Sequence, residues 1–267
     1  MPEAPDLEAY AAYIGRRLQG KRLLAARVLI PPVLKEGRER LADLTGRSLA
    51  AVARHGKQLR LDFQGGPLLL VHPMLSGRFQ LCHHDEPLRP RTALLLTFEG
   101  DCDLRLWDEK LLSRAYVLPG PHALPVGRER APDVLNPHLT AEELWRRLSG
   151  QRASLKSLIV REKVVAGLGN AYADEVLFAA GLSPFRPGGE VDRQEAERLL
   201  QAIREVLGEA TAQVLTEMER HGLPEDEYRA HLRVHRRGSQ PCPRCGAAIQ
   251  EVTSGGRITS FCPVCQR

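Results

Sequence analysis

The sequence predicts a multi-domain α+β protein: a strand-rich first half, a helical middle and a small metal-held end. Short apolar or alternating runs recur about every ten residues up to position 120, as in a sandwich or barrel. From Thr140 the apolar period changes to 3.6. Near the end stand two Cys-x-x-Cys pairs. A chain of 267 residues is long enough for two domains and a sizeable core.

A helix is expected over 5–19. Pro5 suits its first turn, and Glu3, Asp6 and Glu8 complement the positive end of its dipole. Leu7, Tyr10, Ala11, Ile14 and Leu18 share one face, Arg16 and Arg17 sit in the last turn, and Gly20 closes it. Strands are expected at Arg22–Ile30, Ser48–Arg54, Gln58–Phe63, Pro67–Val71, Thr92–Phe98 and Asp103–Trp107, separated by Gly and Pro. His55-Gly56-Lys57 forms a tight basic turn between two of them. A lone lysine in a turn is ordinarily solvated surface, so Lys57 gains meaning only from its neighbours.

Residues 121–139 read as a connector after a first domain of 1–120. Pro119, Pro121, Pro125, Pro132 and Pro137 forbid a continuous helix or a central strand there. A helical domain over 140–228 opens at Thr140-Ala141-Glu142-Glu143, a capping box, and Gly150 ends its first helix. A short helix follows at Ser154–Glu162. Gly167-Leu168-Gly169 then breaks the chain before a helix from about Asn170 to Gly181; amides of such a turn can seat a phosphate. The strand and third glycine of a dinucleotide fingerprint are missing. Asp192-Arg193-Gln194-Glu195 caps a long helix whose apolar face, Leu199, Ile203, Leu207 and Val214 among others, reads as core.

The segment 229–267 carries the most specific signal. Cys242, Cys245, Cys262 and Cys265 have the spacing of a closed tetrahedral zinc site, structural rather than catalytic. Ile249–Phe261 reads as a hairpin turning at Gly255-Gly256, with Arg257 at its tip. Cys82 and Cys102 stand apart and read as core thiols.

Charge is unevenly spread. The chain carries +5, yet 229–267 holds seven arginines against Glu251, +6, leaving 1–228 near −1. A basic end on a near-neutral body suggests a polyanionic partner, and arginine is the better phosphate fork. No apolar run approaches the 18 or so residues of a membrane span. The acidic start has no apolar segment of a secretory signal, so a cytoplasmic protein, without a membrane partner, is expected.

The first residues then become chemically interesting. Initiator methionine is usually trimmed before a small residue such as proline, which would leave Pro2 as a free secondary amine beside Glu3. An α-amine titrates near pH 8, far below lysine. A usable fraction is neutral at pH 7 and able to attack a sugar C1′ as a nucleophile.

Together, the Pro2-Glu3 start, Lys57 in its Gly-Lys turn, the Gly167–Glu175 segment and the four cysteines with Arg257 resemble the formamidopyrimidine-DNA glycosylase / endonuclease VIII family of base-excision repair enzymes. The resemblance spans nearly the whole chain. It implies an N-terminal β-sandwich with a leading helix, a helix–two-turns–helix domain and a C-terminal zinc finger holding one structural Zn2+. It also implies a bifunctional DNA glycosylase/AP lyase acting as a monomer on damaged or abasic double-stranded DNA in the bacterial cytoplasm. Pro2 would be the Schiff-base nucleophile and Glu3 the proton donor. Lys57 and Arg257 would contact phosphate and assist the elimination, Asn170 would grip a flanking phosphate, and Glu175 would be structural.

Departures from the family pattern fall at four places. Asp6 replaces a usual glutamate. The void left by a flipped base, usually filled by Met, would be met by Leu75 with Met74 beside it. The second strand-separating loop, Asp108-Glu109-Lys110-Leu111-Leu112-Ser113, lacks the family's Arg and Phe and leaves Lys110 as its DNA contact. The segment 221–229 is short and charged, and is not expected to form the loop that caps an oxidised purine. The rival readings are a non-catalytic zinc-finger protein binding damaged or kinked DNA, and a single-strand or ribosomal zinc-ribbon protein. With 5% aromatic residues, the last has few stacking platforms.

Overall fold

The computed structural model describes residues 1–124 and 131–267; Pro125 of the expected connector lies outside the described residues. By contacts the chain forms two units, Met1–Val126 with Thr211–Tyr228, and Gly127–Ala210 with Arg229–Arg267.

The first unit opens with helix α1 (Ala4–Leu18), one residue earlier than expected at each end. Nine strands follow: β1 (Leu23–Val28), β2 (Leu34–Glu36), β3 (Leu49–His55), β4 (Gln58–Phe63), β5 (Leu68–His72), β6 (Gly77–His83), β7 (Thr92–Phe98), β8 (Cys102–Asp108) and β9 (Arg114–Leu118). They form two sheets, β1-β7-β8-β6 and β2-β9-β5-β4-β3, antiparallel throughout except β2 with β9. This is a sandwich rather than a closed barrel. Alternation explains the faces: Leu59, Leu61 and Phe63 of β4 enter the shared core, while Gln58, Arg60 and Asp62 stay half-buried. Leu7, Tyr10, Ile14 and Leu18 of α1 join that core with almost no exposure. An isolated 15-residue helix is marginal in water. Burial at about 1.5–3 kcal/mol per large apolar side chain therefore fixes α1.

Strands β2, β6 and β9 were not expected from the sequence. β2 is three residues long and carries Lys35 and Glu36. β6 lacks an alternating pattern because Arg78 is buried in it. The guanidinium is accommodated by acceptors: Nε donates to the Glu225 carbonyl at 2.6 Å, and Nη2 lies 3.3 Å from Glu227.

The second unit holds α2 (Ala141–Leu148), α3 (Leu155–Val160), α4 (Asn170–Ala180), the first part of α5 (Arg193–His221), and the hairpin β10 (Gln250–Ser254) and β11 (Arg257–Phe261). Asp192 Oδ1 accepts from Glu195 N while Glu195 returns a bond to Asp192 N; Thr140 Oγ1 accepts from Glu143 N, but of the capping box expected there only this half forms, because the Glu143 carboxylate accepts from Arg147. Gly181, left-handed at φ 71°, ends α4. The sequence reading gave 140–228 to one helical domain and 229–267 to a separate finger. By contacts, the last part of α5 and the segment to Tyr228 join the sandwich, where Val214 and Met218 enter its core, and the finger joins the helices. Among the described residues no helix is long and apolar enough to cross a membrane.

Candidate functional site

In the first unit the chain start is held tightly. Pro2 and Glu3 are buried, and Glu3 N donates to Asp6 Oδ2 at 2.8 Å. Glu3 is the N-cap of α1 and Asp6 its third helical residue: the Glu3 side chain accepts from the Asp6 N–H while the Asp6 carboxylate accepts from Glu3 N, a reciprocal capping box. The Met1 ammonium lies 3.0 Å from Glu227.

Lys57 lies in the two-residue turn joining β3 to β4, where His55 faces Gln58. Gly56 supplies the positive φ, 57°, that the turn needs. The sequence reading missed what ties this turn to α1. Arg54, with a side chain 5% exposed, donates from Nε to Glu8 Oε1 at 2.7 Å and from Nη1 to the Gly56 carbonyl at 3.0 Å. Glu8 thereby links α1, the helix that follows Pro2 and Glu3, to the backbone carrying Lys57. The only sequence signal was an arginine on the strand leading into a Gly-Lys turn.

Asp108 holds the two loops that carry Met74, Leu75 and Lys110. Oδ1 accepts from the Ser76 hydroxyl and from Lys110 N at 3.1 Å. Oδ2 accepts from Ser113 N at 2.6 Å, and Ser113 Oγ donates to the Pro73 carbonyl at 3.0 Å. Burial alone would raise the Asp108 pKa; the bonds from Ser76, Ser113 and Lys110 outweigh it and hold the carboxyl below its ordinary value. The Ser-Gly sequence has a steric reason, since a Cβ at Gly77 would collide with Ser113 Oγ and the Pro73 carbonyl. Met74 takes a left-handed φ of 55° and presents Leu75, which is 55% exposed. Leu111 and Leu112 are exposed on the neighbouring loop, as is Lys110. The clamp thus displays three leucines to solvent.

In the second unit Asn170 is the first residue of α4, behind Gly169, and its Nδ2 donates to the Ile258 carbonyl at 2.9 Å. Lys156 Nζ donates to the same carbonyl at 2.6 Å and pairs with Asp174 at 2.7 Å. Asp174 also faces His235 Nδ1 at 2.7 Å and accepts from Ser260 N at 3.1 Å. Arg257, exposed at the start of β11, is therefore one residue from a carbonyl gripped twice. Lys156, Asp174 and His235 escaped the sequence reading. Two adjacent acids, Asp174-Glu175, within an otherwise apolar helix were the available signal. Glu175 accepts three backbone N–H groups, from Arg233, Val234 and His235, at 2.8–2.9 Å.

The four finger cysteines offer one sulfur each within 4.8 Å of the others. Cys242 and Cys265 lie 3.9 Å apart, Cys245 and Cys262 3.5 Å. Sulfurs about 2.3 Å from one tetrahedral zinc would stand about 3.8 Å apart, so the set fits a single structural ion. Burial opposes the Cys242 thiolate, but N–H groups of Arg244 and Cys245 outweigh it and bring the thiol down to about 7; burial and neighbouring sulfurs push Cys265 up to about 12. Phe178, Val234 and Ile249 pack around the buried sulfurs.

Comparison with known proteins finds three matching regions. Residues 1–115 match the formamidopyrimidine-DNA glycosylase N-terminal domain, 130–219 its H2TH domain, and 239–267 a zinc finger found in FPG and IleRS. The formamidopyrimidine-DNA glycosylase of Thioalkalivibrio sulfidiphilus is 36% identical over 275 residues, covering 100% of both chains. The chain belongs to the formamidopyrimidine-DNA glycosylase family. The Methylococcus capsulatus formamidopyrimidine-DNA glycosylase is also 36% identical, over 279 residues and again the full length of both. Among solved structures, Lactococcus lactis Fpg in complex with DNA containing an abasic site superposes with a TM-score of 0.90, at 25% identity and 100% coverage of both chains. The same protein with DNA containing FAPY-dG gives 0.89, at 25% identity and 99% and 100% coverage. As a formamidopyrimidine-DNA glycosylase family member, the chain is a DNA glycosylase of base-excision repair.

Proposed function

We propose that the chain is bifunctional: it excises oxidised bases from duplex DNA through a Schiff base on Pro2 and then nicks the strand as an AP lyase. The observation that carries this reading is the chain start, where Pro2 and Glu3 are buried at the head of α1 and held through Asp6. Such a fixed geometry suits a nucleophile and its proton donor.

In this reading, removal of Met1 exposes the Pro2 nitrogen, which attacks C1′ of the damaged nucleotide. The C1′–base bond breaks with a proton going to the departing base, the Pro2 nitrogen gives up its own proton, and the C1′–O4′ bond then opens as Glu3, general acid and proton shuttle at the sugar, protonates O4′. The resulting C1′ iminium acidifies C2′–H. Loss of that proton expels the 3′ phosphate by elimination, with Lys57 and Arg257 assisting. The base must leave the stack to be reached, which costs a few kcal/mol. Asn170, Lys57 and Arg257 hold the flanking phosphates, Leu75 with Met74 fills the void, and Lys110 contacts the backbone. The zinc holds the Arg257 hairpin folded, since a segment this short cannot bury enough surface alone. The working form is a monomer in the bacterial cytoplasm. The lesions carried by the Lactococcus lactis complexes, an abasic site and FAPY-dG, are the first substrates to try.

Borohydride trapping tests the proposal. Wild type should form a covalent adduct with abasic and oxidised DNA, and mass spectrometry should find Pro2 at the mature terminus. Pro2→Gly and Glu3→Gln should lose strand cleavage while still binding DNA. A wild type that binds without forming an adduct would instead be the non-catalytic binder.

A further inference from the structure

We propose that His83, His84 and Asp85, with Asp101 behind them, form a second, exchangeable site for a divalent transition cation such as Zn2+, Ni2+ or Cu2+ at one end of the β1-β7-β8-β6 sheet. Successive residues of a strand point to opposite faces. His83, however, is the last residue of β6 and His84 lies beyond it, so both rings come together, with centroids 4.8 Å apart and planes tilted by 35°. One ligand atom from each of His83, His84 and Asp85 lies within 4.8 Å of the others. All three are exposed, so an ion has access from solvent.

The two nitrogens of His84 have different surroundings. Nε2 lies 2.8 Å from Asp85 Oδ1, and Nδ1 lies 3.6 Å from Asp101 Oδ1. An ion taking the place of the Nε2 proton would be bound by His84 and Asp85 together. Asp101 would then accept from Nδ1–H and orient the ring, the carboxylate–histidine–metal arrangement of many metal sites. His83, whose Nδ1 lies 3.5 Å from Asp85 Oδ2, supplies the third ligand and solvent the rest. Ligand atoms about 2.0–2.1 Å from a tetrahedral ion sit about 3.3 Å apart, so the His84–Asp85 pair at 2.8 Å must open and the His83–Asp85 pair at 3.5 Å must close slightly, adjustments that rotation of exposed side chains provides. Two imidazoles with a carboxylate select zinc, nickel and copper over magnesium and calcium, which prefer all-oxygen sites.

The support beneath this cluster is unusually stiff. Arg105, 1% exposed, donates to the carbonyls of His84, Glu86 and Pro87 at 3.2, 2.9 and 3.2 Å, and is fixed by the Asp103 carboxylate at 2.8 and 3.0 Å. Asp103 is fixed in turn by Thr97 Oγ1 at 2.8 Å. His84 N donates to the Asp101 carbonyl at 3.0 Å, and Asp101 is set by its left-handed φ of 54°. A buried guanidinium thus pins the main chain on which the ligands stand, so an ion has only the side chains left to order.

Nickel titration calorimetry on the full-length, zinc-loaded protein tests the site, with zinc content measured before and after. Wild type should bind one nickel while its finger keeps one zinc. The His83→Ala/His84→Ala variant should lose at least about 100-fold in affinity, the upper end of what second-shell changes alone cost. Asp101→Asn should weaken binding about tenfold, as removal of an orienting partner does. A control changing two exposed histidines elsewhere, His122→Ala/His138→Ala, should bind as wild type does. The substituted side chains make no core contacts, so circular dichroism and base excision should be unchanged throughout. Nickel uptake that is absent from wild type, equal in the double variant, or accompanied by loss of finger zinc would overturn the proposal.

Discussion

Glu175 offers a sharp test of how the second unit is held together. Its carboxylate, on a residue 4% exposed, accepts from Arg233 N at 2.9 Å on Oε2, and from Val234 N and His235 N at 2.9 and 2.8 Å on Oε1. Hydrogen bonds to a charged group contribute about 1.5–3 kcal/mol each, and bonds sharing one acceptor do not add in full. In Glu175→Gln the amide oxygen would take the side with two donors, leaving its NH2 against the Arg233 N–H. That loses one strong bond and should cost about 1.5–3 kcal/mol. Glu175→Ala strands all three donors and should cost about 3–5 kcal/mol, as when a buried charged group loses its partner. Hydrogen exchange reads this locally. Protection of the 233–235 amides should fall by about two to three and a half decades in the alanine variant and by about one to two in the glutamine variant, at about 1.4 kcal/mol per decade. Unchanged protection in the alanine variant, or glutamine costing as much as alanine, would refute the reasoning.

Other expectations follow from the same geometry. Asp108 has a depressed pKa, so its contribution to stability is present above the ordinary carboxylate value near 3.9 and is lost as pH falls through the lower folded value. In pH-dependent melting, the gap between wild type and Asp108→Asn should therefore close on acidification; a gap that widens would reverse the sign. Because Leu75 is more than half exposed, Leu75→Ala should change stability by no more than about 0.5 kcal/mol. Its excision rate should nonetheless drop, which single-turnover kinetics beside a melting curve would reveal. Chelating the zinc should unfold β10 and β11 and abolish DNA binding while the sandwich core persists, a difference visible in amide NMR spectra.

Much of this was legible in the chain because local chemistry decided it. The caps at Thr140 and Asp192 formed where their side chains reach the backbone N–H three residues on. The finger was readable because thiolate spacing leaves few alternatives, and the Gly255-Gly256 turn fell between β10 and β11 as expected. The misses share a different cause. β6 was hidden because Arg78 becomes buried only once the Glu225 carbonyl, 147 positions away, accepts a hydrogen bond from it. The division of the long helix was hidden because an apolar stripe says that a face is buried without saying against what. Arg54, Lys156 and Asp174 were missed because their meaning lies in partners distant in sequence. Leu75 and the departures at 108–113 were visible in the sequence, but their exposure on loops clamped by one carboxylate was not.

Lys156 and Asn170 both fasten onto a carbonyl rather than onto the side chain of Ile258. Every amino acid brings that oxygen, so evolution is free to change residue 258 without untying the knot. The neighbouring Gly255-Gly256 bend can likewise lengthen or shorten only if strand β11 keeps its place at 258. Natural variants should thus drift in side-chain identity there while conserving the count of residues between this main-chain hitch and the first cysteine beyond it.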